Sequence, residues 1–145
     1  MKSKLLHESG GKLCALVFER GDEVVSELLK FAKRTQLQGA CFYGIGACYN
    51  VTIGFFDLER KDYVPTVIKE QVEIISLIGN VAAYNGEPKI HAHIVIGKRD
   101  STAHGGHLIE AVVRPTLEIF LTESTEIKRR LDGETNLPLI DLTMT

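Results

Sequence analysis

The sequence has no tryptophan, only three cysteines and no long apolar segment among its 145 residues. A membrane-spanning helix needs about 20 consecutive apolar residues, and the apolar runs here are only a handful of residues long. No stretch resembles a signal peptide, in which a basic start precedes an apolar core. We therefore expect a cytoplasmic protein that does not cross a membrane.

Cysteine is too scarce to indicate a disulfide-based fold. Cys14, Cys41 and Cys48 form no CxxC pair, and their odd number argues against a disulfide framework. Cys14 and Cys41 lie in strand-like runs, where free thiols are commonly buried. We predict that these two pack in the interior, whereas Cys48 lies nearer a turn and its environment stays open.

The chain also lacks an excess of positive charge. Its 17 Lys and Arg residues are outnumbered by 19 Asp and Glu residues, which gives a net charge of −2. A protein that binds DNA by itself usually presents a basic face. Basic residues occur here only in small groups that, taken singly, are typical of a solvated surface: Lys33–Arg34, Lys98–Arg99 and Lys128–Arg130.

The chain has enough apolar residues, 44% of the total, to build the core of one domain. Residues 13–20 read as a strand and residues 21–36 as a helix, with Asp22 as the N-terminal cap. From Gly39 onward β-branched and aromatic residues dominate, and a turn is predicted at 85–88. Three further strands are predicted at 89–97, 106–113 and 116–124. This pattern indicates an α+β fold, mostly antiparallel sheet with one main helix.

We assign the whole chain, 1–145, to a single domain with a core at about 10–125 and a polar C-terminal tail at 126–145. The tail carries turn signals at Asp132-Gly133 and at 136–138. The segment "GIGACYN" at 44–50 is not a GxGxxG motif, so no dinucleotide cofactor is expected.

What the sequence does contain is a concentration of histidine: four of its five histidines lie between positions 91 and 107. In the predicted strand "KIHAHIVIG", residues two apart point to the same face. His91 and His93 therefore project together, about 7 Å apart along the strand. Two imidazoles at that spacing can bind one ion.

A third histidine is brought in by the hairpin that follows. If the loop from Lys98 to Thr102 is centred near Asp100, residue i pairs with residue 200 − i, and His93 faces His107. His104 is an odd number of positions from His107, so it points to the opposite face unless Gly105-Gly106 forms a bulge. His7, isolated near the N-terminus, is interpreted as an exposed residue.

Three neutral histidines with one open position are typical of a catalytic zinc site. We predict that His91, His93 and His107 bind a divalent metal. All-imidazole ligation favours zinc, although nickel, copper and iron also accept such ligands.

Three stretches of the chain resemble a known family, the plants-and-prokaryotes-conserved (PPC) domain. The succession of "EIISLIGN", "HAH" and "GGHL" is its most specific feature, and the family's histidine pattern falls on His91, His93 and His107. The resemblance implies an α/β domain that assembles as a homotrimer and binds DNA. The matching stretches are "GACFYGIGACYNVTIGFFDLERKDY" (39–63), "VEIISLIGNVAAYNGEPKIHAHIVIG" (72–97) and "GGHLIEAVVRPTLEIFLTE" (105–123).

The chain departs from the plant members of that family at one functional point. Those proteins hold the DNA minor groove with an AT-hook, whose core is Arg-Gly-Arg-Pro, and this sequence has no such segment. Lys98, Arg99 and the group 128–130 remain as candidate phosphate contacts, each repeated three times in a trimer. The low charge between Val72 and Ala83 is compatible with a sheet surface covered by another subunit.

The PPC domain is also similar in structure to acetolactate decarboxylase, an enzyme with a three-histidine zinc site that includes an HxH pair. This similarity supports a second hypothesis, a zinc-dependent lyase or hydrolase that acts on a small polar metabolite at the metal. Such an enzyme needs an acid or base near the ion. Glu73 and Glu118 are candidates because their strands are predicted to flank the histidines, whereas Glu110 has the wrong parity relative to His107.

Overall fold

The computed structural model describes residues 1–8 and 11–144; residues 9, 10 and 145, which belong to the domain assigned from the sequence, lie outside the described part. The order of elements along the described chain is β1 (Lys2–His7), β2 (Leu13–Phe18), α1 (Val24–Arg34), β3 (Gly39–Asp57), β4 (Asp62–Ile68), β5 (Val72–Tyr84), β6 (Glu87–Gly97), β7 (Ala103–Glu123), β8 (Arg129–Leu131) and β9 (Pro138–Ile140).

Seven strands form one antiparallel sheet in the order β1-β2-β7-β6-β5-β3-β4. The sheet closes on itself because β7 also pairs with β3 along most of its length. The short strands β8 and β9 pair separately with each other. The prediction of a mainly antiparallel sheet is confirmed, and the helical part of the fold is the 11-residue α1.

The core lies inside the closed part of the sheet and under α1. Large side chains with essentially no exposure come from β2, α1, β5, β6 and β7, namely Leu16, Phe18, Leu28, Ile74, Leu77, Ile94, Ile96, Leu117, Ile119 and Leu121. On β6 the inward residues alternate with the histidines. This alternation is what places His91 and His93 on the outer surface of the sheet.

The helix begins one residue later than the sequence suggested. Its N-cap is Glu23, whose carboxylate accepts hydrogen bonds from the backbone N–H groups of Val25 (3.0 Å) and Ser26 (2.7 Å). The prediction of Asp22 as the cap was wrong because the first helical residue is Val24. Asp22 instead pairs with the amino group of Met1 at 2.6 Å.

The hairpin between β5 and β6 is tighter than the four-residue turn predicted at 85–88. Asn85 and Gly86 both have positive φ, 52° and 80°, as a two-residue type I′ turn requires. Glu87 and Pro88 already belong to β6. The two strands predicted at 106–113 and 116–124 are likewise one strand, β7, because β3 pairs along both segments.

The prediction that Cys14 and Cys41 pack in the interior is wrong for Cys41. Cys41 is exposed, Cys14 is half-buried and Cys48 is buried. Cys41 and Cys48 are seven positions apart on β3, so strand alternation places them on opposite faces of the sheet. Cys48 lies on the core side, where burial raises the pKa of its thiol to about 11.

Candidate metal centre

The hairpin that joins β6 to β7 sets the positions of the three histidines. Its register pairs His93 with His107, as the numbering around Asp100 predicted. The loop is closed by hydrogen bonds from the N–H of Lys98 to the carbonyl of Thr102 and from the N–H of Ser101 to the carbonyl of Lys98, both 2.9 Å. Cross-strand partners share a face of the sheet, so His107 lies beside His93.

His91, His93 and His107 form one cluster on the outer surface of the sheet. One ring nitrogen from each lies within 4.8 Å of the other two. The ring centroids are 5.3 Å apart for His91 with His93, 5.3 Å for His91 with His107 and 5.6 Å for His93 with His107. The geometry thus brings together the three residues selected from the sequence.

The electrostatics of the cluster favour neutral imidazoles, the form that binds a metal. Burial, and then the neighbouring His91 and His93, lower the pKa of His107 to about 4. Burial and then the positive charge of Arg129 lower the pKa of His91. The Nδ1 atom of His107 is buried and has no hydrogen-bond partner. A bound cation would satisfy this nitrogen, so the residues present fit a metal ion.

A tyrosine covers one side of the cluster. The ring of Tyr63, on β4, stacks on that of His107 with centroids 4.3 Å apart and planes inclined by 20°. Gly54 is the register partner of His107 on β3, and its missing side chain leaves the space that Tyr63 occupies. The sequence reasoning did not select Tyr63, because its contact with His107 depends on two separate strand pairings.

Arg129 is a second residue near the histidines that the sequence reasoning missed. It was interpreted as part of a solvated basic group, yet it is only 5% exposed. It donates hydrogen bonds to the side-chain oxygen of Asn80 and, at 2.9 Å, to the carbonyl of Pro138. The local pattern gives no signal of this burial, because Arg130 and Leu131, which follow it on β8, are both exposed.

His104 and His7 lie away from the cluster. His104 pairs with Ile96, and the pairings between them and the cluster keep a regular register, so Gly105-Gly106 forms no bulge between β6 and β7. His104 is exposed, as is His7 on β1. The expectation that His104 points away from the other three agrees with the structure.

The glutamates considered as catalytic partners are not close to the histidines. Glu73 and Glu118 together line a separate surface depression of about 620 Å³ that contains none of the three histidines. Their predicted position beside the metal was therefore wrong, since β5 and β7 carry them at the far ends of those strands. Glu110 pairs with Thr52 and is exposed. Within residues 1–8 and 11–144, no carboxylate joins the group that could hold an ion.

The basic groups proposed as DNA contacts are largely neutralised by ion pairs. Lys98 lies 2.6 Å from Glu70, Lys128 lies 3.4 Å from Glu126, and Arg130 lies 2.7 Å from Asp141. Arg129 is buried, as described above. Arg99 is exposed and remains available to a phosphate.

An apolar face borders the histidine cluster. Tyr43 on β3 is paired with Ile78 on β5 and with Phe120 on β7, and Ile78 is in turn paired with His93. The rings of Tyr43 and Phe120 stack with centroids 5.8 Å apart. We call this patch the apolar face; its members and exposed fractions are Tyr43 (60%), Ile45 (63%), Ile75 (57%), Ile78 (56%) and Phe120 (38%).

Among the described residues, no helix combines the length and apolar character required to cross a membrane.

Comparison with known proteins places the chain among related folds. The profile of the Plants and Prokaryotes Conserved (PCC) domain, the PPC domain named above, matches residues 6–125. No curated protein matches the sequence significantly.

Solved structures resemble this one over nearly its whole length. A PPC protein from Pyrococcus horikoshii is 33% identical, with a TM-score of 0.84 over 97% of this chain and 94% of its own. A "metal-containing protein" from Archaeoglobus fulgidus is 34% identical, with a TM-score of 0.84 over 97% and 99%. A "putative DNA-binding protein" from Ralstonia eutropha JMP134 is 30% identical, with a TM-score of 0.85 over 96% of each chain.

Proposed function

This chain belongs to the Plants and Prokaryotes Conserved (PCC) domain family, and we propose that it acts as a trimeric, metal-containing member of that family that associates with DNA in the cytoplasm. The metal centre is its most strongly supported part. The supporting observation is the convergence of three imidazole nitrogens within 4.8 Å, together with the buried Nδ1 of His107, which has no hydrogen-bond partner.

The ion is zinc in this proposal, bound by His91, His93 and His107. Imidazole is a preferred zinc ligand, and three histidines leave a fourth position free for water or a ligand. When bound, zinc supplies Lewis acidity at that position. The relative from Archaeoglobus fulgidus is described as containing a metal, which supports the same chemistry here.

The trimer would bury the apolar face. Five large apolar side chains exposed side by side are unusual for a monomer and typical of a subunit interface. The histidine cluster lies at the edge of this surface, since Ile78 is paired with His93. Assembly of three chains would therefore bring three metal centres close to the subunit boundaries.

DNA association is supported by the relatives rather than by the charge of this chain. The Ralstonia protein and one from Bacteroides thetaiotaomicron, 26% identical, are both described as putative DNA-binding proteins. Here the net charge is −2 and the basic groups are paired with carboxylates. We expect weak binding without sequence preference, through Arg99, which is repeated in three subunits.

Fluorescence anisotropy with a short labelled duplex tests this proposal. The logarithm of the affinity should fall with the logarithm of the salt concentration, with a slope of about −0.9 for each phosphate neutralised. Arg99→Ala should reduce the slope, whereas Arg20→Ala, at the junction of β2 and α1, should leave it unchanged. Absence of any salt-sensitive affinity would remove DNA from the proposal and leave the metal centre intact.

A second candidate function is that of a zinc-dependent lyase or hydrolase for a small polar metabolite. The cavity that His91 and His107 share with Arg129 favours this hypothesis, because an enzyme needs a pocket beside the open metal position. Turnover of small carbonyl or carboxylate compounds by zinc-loaded protein, and its loss in His93→Ala, would support it. No turnover across such a panel would contradict it.

A further inference from the structure

Arg129 carries a positive charge into the protein without a negative partner. The residue is 5% exposed, and among the ion pairs of the described residues none involves its guanidinium. A buried charge without a counter-ion is costly and is normally paired. The described part of the chain therefore supplies no negative charge to pair with the Arg129 guanidinium.

The hydrogen bonds of Arg129 are also incomplete. A guanidinium has five N–H donors, and two of them bond Asn80 and the carbonyl of Pro138. The Nε atom is buried and has no hydrogen-bond partner. The two bonds that exist hold the group in a fixed orientation between β5 and β9, so its remaining donors are preorganised.

A small cavity joins Arg129 to the histidine cluster. Its volume is about 140 Å³, enough for a ligand of a few heavy atoms. Its lining combines polar side chains, among them Arg129, Lys89 and His107, with apolar ones, among them Ile90 and Leu137. Lys89 is exposed at the rim and adds a second positive charge.

We propose that this cavity binds a small carboxylate with a short apolar body, whose carboxylate pairs with Arg129 beside the three histidines. A planar guanidinium matches a carboxylate because two parallel N–H···O bonds can form. The apolar wall accommodates a few carbon atoms, and Lys89 attracts the anion at the entrance. This inference rests on the proposed metal centre for the identity of the neighbouring group, and it adds to that centre the class of its ligand.

A purely structural role for Arg129 is the competing explanation. Its bonds to Asn80 and Pro138 attach the β8–β9 pair to β5, and that attachment alone could account for its burial. The two explanations predict different responses to an added carboxylate. If Arg129 only joins the strands, its resonance should not shift when the carboxylate is added. If Arg129 binds the carboxylate, its resonance should shift.

The experiment is an NMR titration of the 145-residue chain with propionate as the probe. The readout is the Nε–H resonance of Arg129, which is assigned by its loss in Arg129→Lys. Propionamide has nearly the same shape without the charge and serves as the control ligand, and inorganic phosphate tests the other common oxyanion. Each titration is run on protein of measured zinc content and on protein treated with a chelator.

We expect propionate, and not propionamide, to shift the Arg129 resonance. Lys89→Ala should weaken binding about two- to five-fold, the effect of one exposed charge, while Lys4→Ala on β1 should leave it unchanged. Because Lys89 is exposed, its variant tests the site without threatening the fold. Propionate should also shift the amide resonances of Leu137 and Ile90, and these shifts should be absent in Arg129→Met.

A titration in which propionate leaves the resonance unmoved would overturn the inference, and so would a response to phosphate alone. The zinc content measured on the same samples decides the metal centre independently. Full zinc occupancy without a propionate response would therefore reject the carboxylate site only, whereas a propionate response in protein that contains no zinc as purified and takes up none when zinc is added would reject the metal centre only.

Discussion

Gly54 lies directly beside the ring of Tyr63, so close that a Cβ atom at Gly54 would come within 2.8 Å of Tyr63 Cδ1. The same ring stacks on His107 at a centroid distance of 4.3 Å. The absence of a side chain at Gly54 is therefore what allows the tyrosine to hold the imidazole from one side. Three strands meet in this contact, because Gly54 lies on β3, Tyr63 on β4 and His107 on β7.

Replacing that glycine should weaken metal binding. Gly54→Ala forces Tyr63 away from His107, and loss of an outer contact of a metal ligand typically costs 10- to 100-fold in affinity. We expect the zinc dissociation constant to rise about ten-fold, measured by competition with a chromophoric chelator. Gly133→Ala is the matched control, because a Cβ there meets nothing within 4 Å. Equal affinities in the two variants would show that the stacking does not support the site.

The three histidines should act as one metal site, separate from His104. Protein purified without a histidine tag should contain one zinc per chain by elemental analysis. His93→Ala and the double variant His91→Ala/His93→Ala should lose this zinc, because too few imidazoles remain for stable tetrahedral binding. His104→Ala, which removes an exposed histidine of the same hairpin, should keep it. Full occupancy in the double variant would reject the assignment.

The stability of the metal-free protein should fall in mildly acidic solution. Burial lowers the pKa of His107 from 6.5 to about 4, and that of His91 shifts in the same direction. Between these values the unfolded chain binds protons that the folded chain excludes, so the free energy of unfolding decreases as the pH falls. The contribution is fully present above about pH 6.5 and is lost as the pH falls through about 4.

Urea unfolding of chelator-treated protein at several pH values between 7 and 4 measures this effect. In His107→Gln the decrease should be shallower, because the group that resists protonation is gone. A decrease of the same steepness in the variant would assign the pH dependence to other residues.

The apolar face should hold the subunits together. Light scattering should give a mass three times that of the 16.1 kDa chain. Ile45→Glu places a charge at the most exposed member of the face, and the cost of desolvating that charge on assembly should shift the mass to that of a monomer. Leu142→Glu changes an apolar residue that is 88% exposed in the tail and should leave the trimer intact. A wild-type monomer would contradict the proposed assembly.

The numbering around the hairpin predicted the pairing of His93 with His107 because the strand register and the face of each residue both follow from local rules. A short polar loop fixes the centre of the hairpin, and the two-residue period of a strand fixes the face. Strand character alone did not predict which cysteines are buried: Cys41 and Cys48 are seven positions apart on β3 and therefore lie on opposite faces, Cys41 outside and Cys48 inside. Which face of β3 is covered depends on how the strands pack, which local sequence does not reveal.

The surroundings of the histidines were beyond sequence reasoning for a related reason. Tyr63 reaches His107 across β3, and Arg129 arrives from the tail, 22 positions after His107. Neither contact follows from spacing along the chain. Glu73 and Glu118 show the converse error: they lie on strands that flank the histidine strand or carry His107, but too far along those strands to reach the cluster.

The strand β7 has neighbours on both edges: β3 runs along one side, while β6 and β2 divide the other. His107 and the hairpin that carries His93 are thus anchored in the interior of the sheet, whose amides should exchange with solvent slowly. Tyr63 lies on the edge strand β4, and Arg129 lies on the separate β8–β9 pair. Local fraying should therefore loosen Tyr63 and Arg129 while the histidines stay fixed. The rate at which small molecules enter and leave the histidine cluster should then depend on these local openings and not on global unfolding.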